Sequence, residues 1–237
     1  MTRSREKAQQ AIEDIKAATP SSQGDLVFVP LDLADLSTVK LAAQQILECE
    51  SKIHTLFNNA GIGVGTSESQ TTVQGHDRWL GVNNLGPHLL TKLLTPCLIE
   101  AANTEPAGTA RVVWVSSASG ELPDVPTGGV PMDHITDLSS YQTKYSIATR
   151  YGISRAGNIL QAAEFARLYE TDGIISFAMH PGVVDTDSFT PLAKTNNIAY
   201  IFKILFMQPA IYGAYTELFA GLSPEVATVA HRGEWGM

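Results

Sequence analysis

The sequence predicts an α/β fold: an open, doubly wound parallel sheet with helices on both faces. Three observations predict it. Short apolar runs of strand length alternate with longer runs of helical spacing. Polar clusters at Asn58–Gly61, Ser116–Ser119 and His180–Thr186 each follow a strand-like run. In such a sheet they converge on one edge, where ligands bind. Finally, the chain has 237 residues, of which 44% are hydrophobic and 17% charged. That suffices for one domain spanning 1–237 with a core that needs no disulfide or metal.

The elements follow in chain order. Arg5–Lys16 is rich in Ala, Gln and Glu, with Ala8, Ile12 and Ile15 at helical spacing, and Pro20 to Gly24 end it. Leu26–Val29 is a short buried-strand run. Ser37 can cap a helix running through Leu41, Ile46 and Leu47. Thr55–Phe57 reads as a second strand, ending in Asn58-Asn59-Ala60-Gly61. A long helix spans about Asp77 to Ala101, with Gly86-Pro87 as an irregularity. Arg111–Val115 is a third strand, followed by a polar Pro/Gly-rich loop from Gly120 to Leu138. Tyr145–Tyr169 is helical, Ile174–Met179 is a fourth strand, and Pro181-Gly182 breaks it. No internal repeat or low-complexity tract interrupts this alternation.

Composition removes several classes of function. The formal net charge of −8 argues against a nucleic-acid partner, which calls for a basic face. Cys49 and Cys97 are the two cysteines, so no disulfide framework is implied and a reducing, cytoplasmic location is expected. The charged start, Met1 to Lys7, has no apolar signal segment. The longest apolar run, Ile198–Met207, contains Lys203 and falls well short of the roughly 20 residues of a spanning helix. The histidines show no metal-ligand spacing, and Ser117 sits in Val-Ser-Ser-Ala-Ser-Gly, not in a hydrolase elbow.

The segment richest in chemistry is Tyr151-Gly152-Ile153-Ser154-Arg155. Positions i and i+4 share a helix face, so Tyr151 and Arg155 point the same way. A free phenol has a pKa near 10, and a fixed cation close by favours its ionised form. The pair is therefore a candidate general acid/base. Ser117, directly after the third strand, can donate a hydrogen bond to a carbonyl oxygen as charge builds on it. Asn58-Asn59-Ala60-Gly61 is a small-residue turn that allows close approach. Asn83, inside an apolar helix, must find partners or cost stability.

Together these residues resemble the short-chain dehydrogenase/reductase family. The order is that of the family: the Asn-Asn-Ala-Gly strand end, the Val-Asn helix, the strand closing in Val-Ser-Ser, the Tyr-x-x-x-basic helix, then Pro-Gly. Within it, the chain looks most like the retinol-dehydrogenase-like branch and similar fungal reductases. Asp137-Leu138, Tyr145-Ser146, Tyr151-Gly152-x-Ser154, Asn158 and His180-Pro181-Gly182-Val183-Val184-x-Thr186 fit that branch. The resemblance implies a Rossmann-like sheet of strand order 3-2-1-4-5-6. It makes Tyr151 the proton donor and Ser117 the residue that polarises the carbonyl. Arg155 stands where the family has a lysine that holds the nicotinamide ribose, and Asn83 where an asparagine supports a proton path. Asp32 matches an adenine contact, Asn58 a ribose neighbour, and Val184 and Thr186 contacts to the nicotinamide carboxamide and phosphates. Arg3 stands where the branch places a base for a 2′-phosphate, which favours NADP over NAD.

Three departures accompany the resemblance. The family's opening strand, Thr-Gly-x-x-x-Gly-x-Gly turn and helix are not in the sequence, so an N-terminally truncated sheet is expected. That predicts a gap, or a direct pairing, between the Leu26–Val29 and Thr55–Phe57 strands, and weak or no NADPH binding. Arg155 keeps the lysine's charge in a larger, planar fork. The sequence closes soon after Gly233-Glu234-Trp235, which predicts an incomplete last strand. The function expected is hydride transfer between NADP(H), or NAD(H), and a carbonyl or alcohol on an apolar small molecule: a retinoid-like alcohol, a lipid or a secondary-metabolite ketone. Residues 187–222 are expected to form a helical cap over it, with a homo-oligomer contact or peripheral membrane contact as alternative uses of that apolar stretch. The rival expectation is a non-catalytic binding or scaffold relative.

Overall fold

The structure, a computed structural model, describes residues 1–64, 70–186, 203–229 and 235–236. Its centre is a parallel sheet of β1 (Thr55–Asn58), β2 (Arg111–Val115), β3 (Ile175–Met179) and β6 (Trp235–Gly236), hydrogen-bonded in the order β1-β2-β3-β6. Leu56 pairs with Val112, and Val113 with Phe177. β2 and β3 are buried at every position, as expected of strands covered on both faces. The closing strand forms as a two-residue pairing, Ala178 with Trp235 and Met179 with Gly236.

Alternation along β2 divides the core. Val112 and Trp114 face α2 (Leu36–Cys49), α4 (Gly86–Thr104) and α7 (Ile147–Leu168), joining Val39, Leu94, Leu98, Ala162 and Phe165 in one cluster. Val113 and Val115 face the other way, packing with Phe177 and Met179 against Ala220 of α8 (Ala210–Leu222) and Val226 of α9 (Pro224–Val229). Gly221 of α8 lies against the Phe57 ring so closely that a Cβ there would overlap the ring. Both faces are thus covered, and the expected α/β architecture is present.

Several local expectations need correction. Leu26–Val29 forms no strand: among the described residues this part of the chain makes a single Thr2–Pro30 bridge, and Val27 is 74% exposed. A strand needs a neighbouring backbone over several residues. Here Thr2 supplies two hydrogen bonds, to Val29 O and from Leu31 N, and the chain then turns into α1 (Arg5–Ala18) at the Ser4 cap. The direct pairing with β1 does not occur. Leu31 and Leu33 instead face Phe57, Asn58, Pro87 and Leu90 across a cavity of about 300 Å³. Asp35, not Ser37, caps α2, accepting from Ser37 N. The long helix is composite: Asp77 caps α3 (Arg78–Leu80), a π-helical turn spans Gly81–Leu85, and α4 follows. The irregularity therefore precedes Gly86-Pro87. The Gly120–Leu138 loop contains the short α5 (Met132–Ile135) and ends in α6 (Leu138–Lys144).

β4 (Val184–Asp185) pairs with β5 (Gln208–Pro209) just ahead of α8. The first part of the expected cap, 187–202, lies outside the described residues. Its C-terminal part is α8, which buries Gly213, Ala220 and Gly221 and leaves Ile211, Tyr215, Leu218 and Leu222 about half exposed or more.

Candidate active site

The C-terminal end of β2 meets the middle of α7, and side chains from these elements interlock. The carbonyl of Val115 closes β2 and accepts two hydrogen bonds from α7: Arg155 Nη1 at 3.0 Å and Asn158 Nδ2 at 2.9 Å. Ser116 Oγ donates to the carbonyl of Arg155 at 2.7 Å. These contacts fix α7 to the strand that delivers Ser117. Ser117 then caps the 3₁₀ turn Ala118–Glu121, its hydroxyl accepting from Ser119 N and donating to Ser119 Oγ.

Two glycines set how close this turn comes to α7. A Cβ on Gly152 would lie 2.7 Å from the Ser119 carbonyl oxygen, and one on Gly120 would lie 2.8 Å from the Ala156 nitrogen. Backbone thus packs on backbone within a turn of Tyr151. Gly120→Ala should cost about 1–3 kcal/mol of stability through this overlap. Urea denaturation reads the effect, and an unchanged midpoint would contradict the packing described.

Tyr151 is half-buried, and the Arg155 guanidinium carbon lies 5.2 Å from its ring centroid. The predicted i, i+4 pairing is therefore present, although the cation addresses the ring face. Arg155 itself is buried, and its Nε has no hydrogen-bond partner among the described residues. Its other end points at Gly61, where a Cβ would lie 2.8 Å from Arg155 Nη2 and 2.9 Å from Asn83 Oδ1. Only glycine lets the end of the Asn58–Gly61 turn come so near.

Asn83 sits in the π-helical turn, whose widened backbone changes the direction of the helix's side chains. Its amide is fully used: Oδ1 accepts from Ile62 N, and Nδ2 donates to Ile62 O and to Ser154 Oγ at 2.9 Å. Asn83 thereby ties the β1 exit loop to α7. Asn84 makes a parallel tie, donating to Asn158 Oδ1 at 2.6 Å and to the Ser154 carbonyl. Residue-type reading did not single out Ser154 or Asn84 as partners. Their signal is a polar residue adjacent to a named one, on the buried face of an apolar helix.

The other predicted positions divide into two groups. Asp32 lies beside the β1 exit, its Oδ1 accepting from Ala34 N, and it lines a smaller cavity with Ala60 and Gly61. Asn58 is buried and donates to Thr91 Oγ1 of α4, so its amide is tied to a helix while its residue lines the larger cavity. Val184 and Thr186 follow the Pro181-Gly182 turn, where Gly182 adopts φ +87°. Val184 is half-buried against Gly213, and Thr186 is exposed. His180, ahead of that turn, is held below its usual pKa chiefly by burial, with Glu121 acting in the opposite direction.

Residues 1–128 match the short chain dehydrogenase family. The chain is 39% identical over 99% of its length to a short-chain dehydrogenase/reductase of Phomopsis amygdali, covering 70% of that protein. It is 43% identical over 95% of its length to short-chain dehydrogenase/reductase bet4 of Neocamarosporium betae, covering 64% of that one. Among solved structures, the NADPH-bound carbonyl reductase from chicken fatty liver superposes with a TM-score of 0.62 at 22% identity. That alignment covers 99% of this chain and 82% of the reductase, and it supports the fold. The chain belongs to the short-chain dehydrogenase/reductase family of oxidoreductases, and its sheet is the family's Rossmann-like one. It spans about two thirds of the length of the fungal relatives named here.

Proposed function

We propose that the chain carries the active site of an NADP(H)-dependent carbonyl reductase or alcohol dehydrogenase acting on an apolar small molecule. The observation that carries this reading is the placing of Arg155. Its cation lies over the Tyr151 ring while its Nη1 is anchored on the carbonyl of the strand that ends beside Ser117.

The residues fit a nicotinamide dinucleotide at its two ends. At one end, the bare Gly61, buried Arg155 (its Nε without a partner among the described residues) and half-buried Tyr151 leave room and a cation for a nicotinamide riboside. At the other, Asp32, Ala60 and Gly61 line the smaller cavity, which suits an adenine nucleoside. The larger cavity, which shares Leu31, Leu33 and Ala60 with the smaller one, is walled mainly by Leu31, Leu33, Phe57 and Leu90, and among the described residues it has no run of backbone donors at a helix start for a pyrophosphate. Bound at these ends, NADPH supplies the hydride. Tyr151 would donate the proton to the substrate's carbonyl oxygen, and Ser117 would donate a hydrogen bond to that oxygen as charge accumulates. Arg155 would hold Tyr151 and stabilise negative charge on it. Asn83, through Ile62 and Ser154, would hold the two walls of the site in register. The exposed apolar residues of α8, with Ile204 and Phe206 nearby in sequence, support an apolar substrate.

Arg155 supplies the direct test. With NADPH consumption followed at 340 nm against a panel of apolar ketones, Arg155→Met should lower both turnover and cofactor affinity. Arg155→Lys, restoring a compact ammonium, should raise one or both. Equal behaviour of Met and Arg would remove Arg155 from the mechanism. The apolar walls of the larger cavity favour a second reading, a non-catalytic binding relative, in which no variant at Tyr151 or Arg155 changes any NADPH consumption.

A further inference from the structure

The Val115 carbonyl, at the end of β2, accepts from two side chains set one turn apart on α7: Arg155 Nη1 at 3.0 Å and Asn158 Nδ2 at 2.9 Å. A carbonyl oxygen has two lone pairs, so these donors fill it. Asn158 is buried, and its other end is also taken, with Oδ1 accepting from Asn84 Nδ2 at 2.6 Å. The polarity of this connection is fixed. Asn84 Nδ2 also donates to the Ser154 carbonyl at 2.8 Å, so it faces Asn158 as a donor and only the Asn158 oxygen can meet it. The Asn158 nitrogen is thereby directed at Val115. A guanidinium can turn adjacent N–H groups toward one acceptor when no other donor occupies it. Arg155 offers Val115 a single one: its Nε has no partner among the described residues, and its Nη2 lies toward Gly61. Ser116 Oγ meanwhile holds the Arg155 backbone carbonyl at 2.7 Å. With its backbone pinned and the second lone pair of Val115 filled, the guanidinium keeps its place over the Tyr151 ring.

We infer that Asn158 is a positioning residue for the reaction: oriented by Asn84, it occupies the second acceptor site of the Val115 carbonyl, holds Arg155 to one hydrogen bond there and so keeps that cation on Tyr151. Without the Asn158 donor, the guanidinium is free to turn further onto the carbonyl and away from the ring. Asn158 acts only through Arg155, and Asn84 only through Asn158. The inference rests on the reading of Tyr151 and Arg155 given above.

A double-mutant cycle on kcat, read from NADPH consumption against the panel of apolar ketones, separates positioning from mere structure. Asn158→Asp keeps an acceptor for Asn84, but its carboxylate cannot donate to Val115. It should lower kcat by about ten- to a hundredfold, the scale of a misplaced catalytic group, with the ketone KM little changed. In the Arg155→Met background the same substitution should change kcat by less than about twofold, because the group it positions is gone. Asn84→Ala, which releases the Asn158 amide to rotate, should show the same pattern in weaker form, and it decides the matter if circular dichroism finds Asn158→Asp unfolded. Loss by the same factor in both backgrounds would mark a purely structural role and overturn the inference, leaving the Tyr151–Arg155 reading intact. An unchanged kcat in the folded variants overturns it as well. If the unaltered chain reduces no ketone of the panel, or Arg155→Met matches it, that reading falls and the inference with it.

Discussion

Tyr151→Phe should lower the catalysed reduction of a carbonyl by about 10²–10⁴-fold, the usual range for a positioned general acid. The variant removes one hydroxyl and leaves the ring under the Arg155 guanidinium, so the fold should survive. The loss should fall mainly on kcat, with KM little changed, because a proton delivered in the transition state adds little to ground-state binding. Steady-state rates at saturating NADPH and ketone check this. Full turnover by Tyr151→Phe would transfer the acid's role to another group, and the Arg155 contact would then be structural.

Arg150→Met should be the most destabilising of the single substitutions considered. Arg150 Nη1 lies 2.7 Å from Asp77 Oδ2, with side-chain exposures of 6% and 2%. Its guanidinium also donates to Gln70 Oε1 and lies 4.8 Å from the Trp79 ring centroid. Meanwhile Asp77 Oδ1 accepts from Trp79 N and Leu80 N, capping the helix that leads into the Asn83 turn. Removing the arginine leaves a buried carboxylate with these two amides as its hydrogen-bond partners among the described residues. Breaking a buried pair in this way costs about 3–5 kcal/mol. For a domain of this size, that corresponds to a melting point roughly 6–20 °C lower. Thermal denaturation measures it. A double-mutant cycle with Asp77→Asn should return a coupling well above the additive expectation. A melting point unchanged by Arg150→Met would show that the pair contributes nothing to holding the start of α7 against the helix bearing Asn83.

Much of this arrangement is legible in the sequence, for identifiable reasons. The strands β1 to β3 and the helices α2 and α7 follow from periodicity, because each buries a face that its own residues mark, whereas α1 follows the predicted helical spacing without burying any residue. The Tyr151–Arg155 pairing follows from helix geometry alone. The failed strand at Leu26–Val29 shows the limit: an apolar run records a tendency to be covered, but a ladder depends on which backbone lies alongside. The same limit hides the Asp77–Arg150 pair and the joint approach of Arg3 and Arg78 to the smaller cavity. Partners so distant in sequence leave no periodic trace. The small-residue turn ending in Gly61 signals a close approach already in the sequence, whereas Gly120 and Gly152 read as ordinary loop or helix residues until the structure shows backbone against their bare Cα atoms. Asn83 was legible as an amide needing partners, but not as the link between Ile62 and Ser154.

We propose that this chain holds a nicotinamide dinucleotide by its two ends, at Arg155 and at the Asp32 cavity, with no backbone cradle for the phosphates among the described residues. Isothermal titration of the 237-residue chain with NADPH tests it most directly. Each charge-assisted hydrogen bond missing from the pyrophosphate forgoes about 1.5–3 kcal/mol, so two or three together weaken binding by about 10²-fold or more. Saturable binding weaker than micromolar is expected, diminished further by Arg155→Met. Binding at micromolar affinity or tighter, insensitive to Arg155→Met, would contradict it.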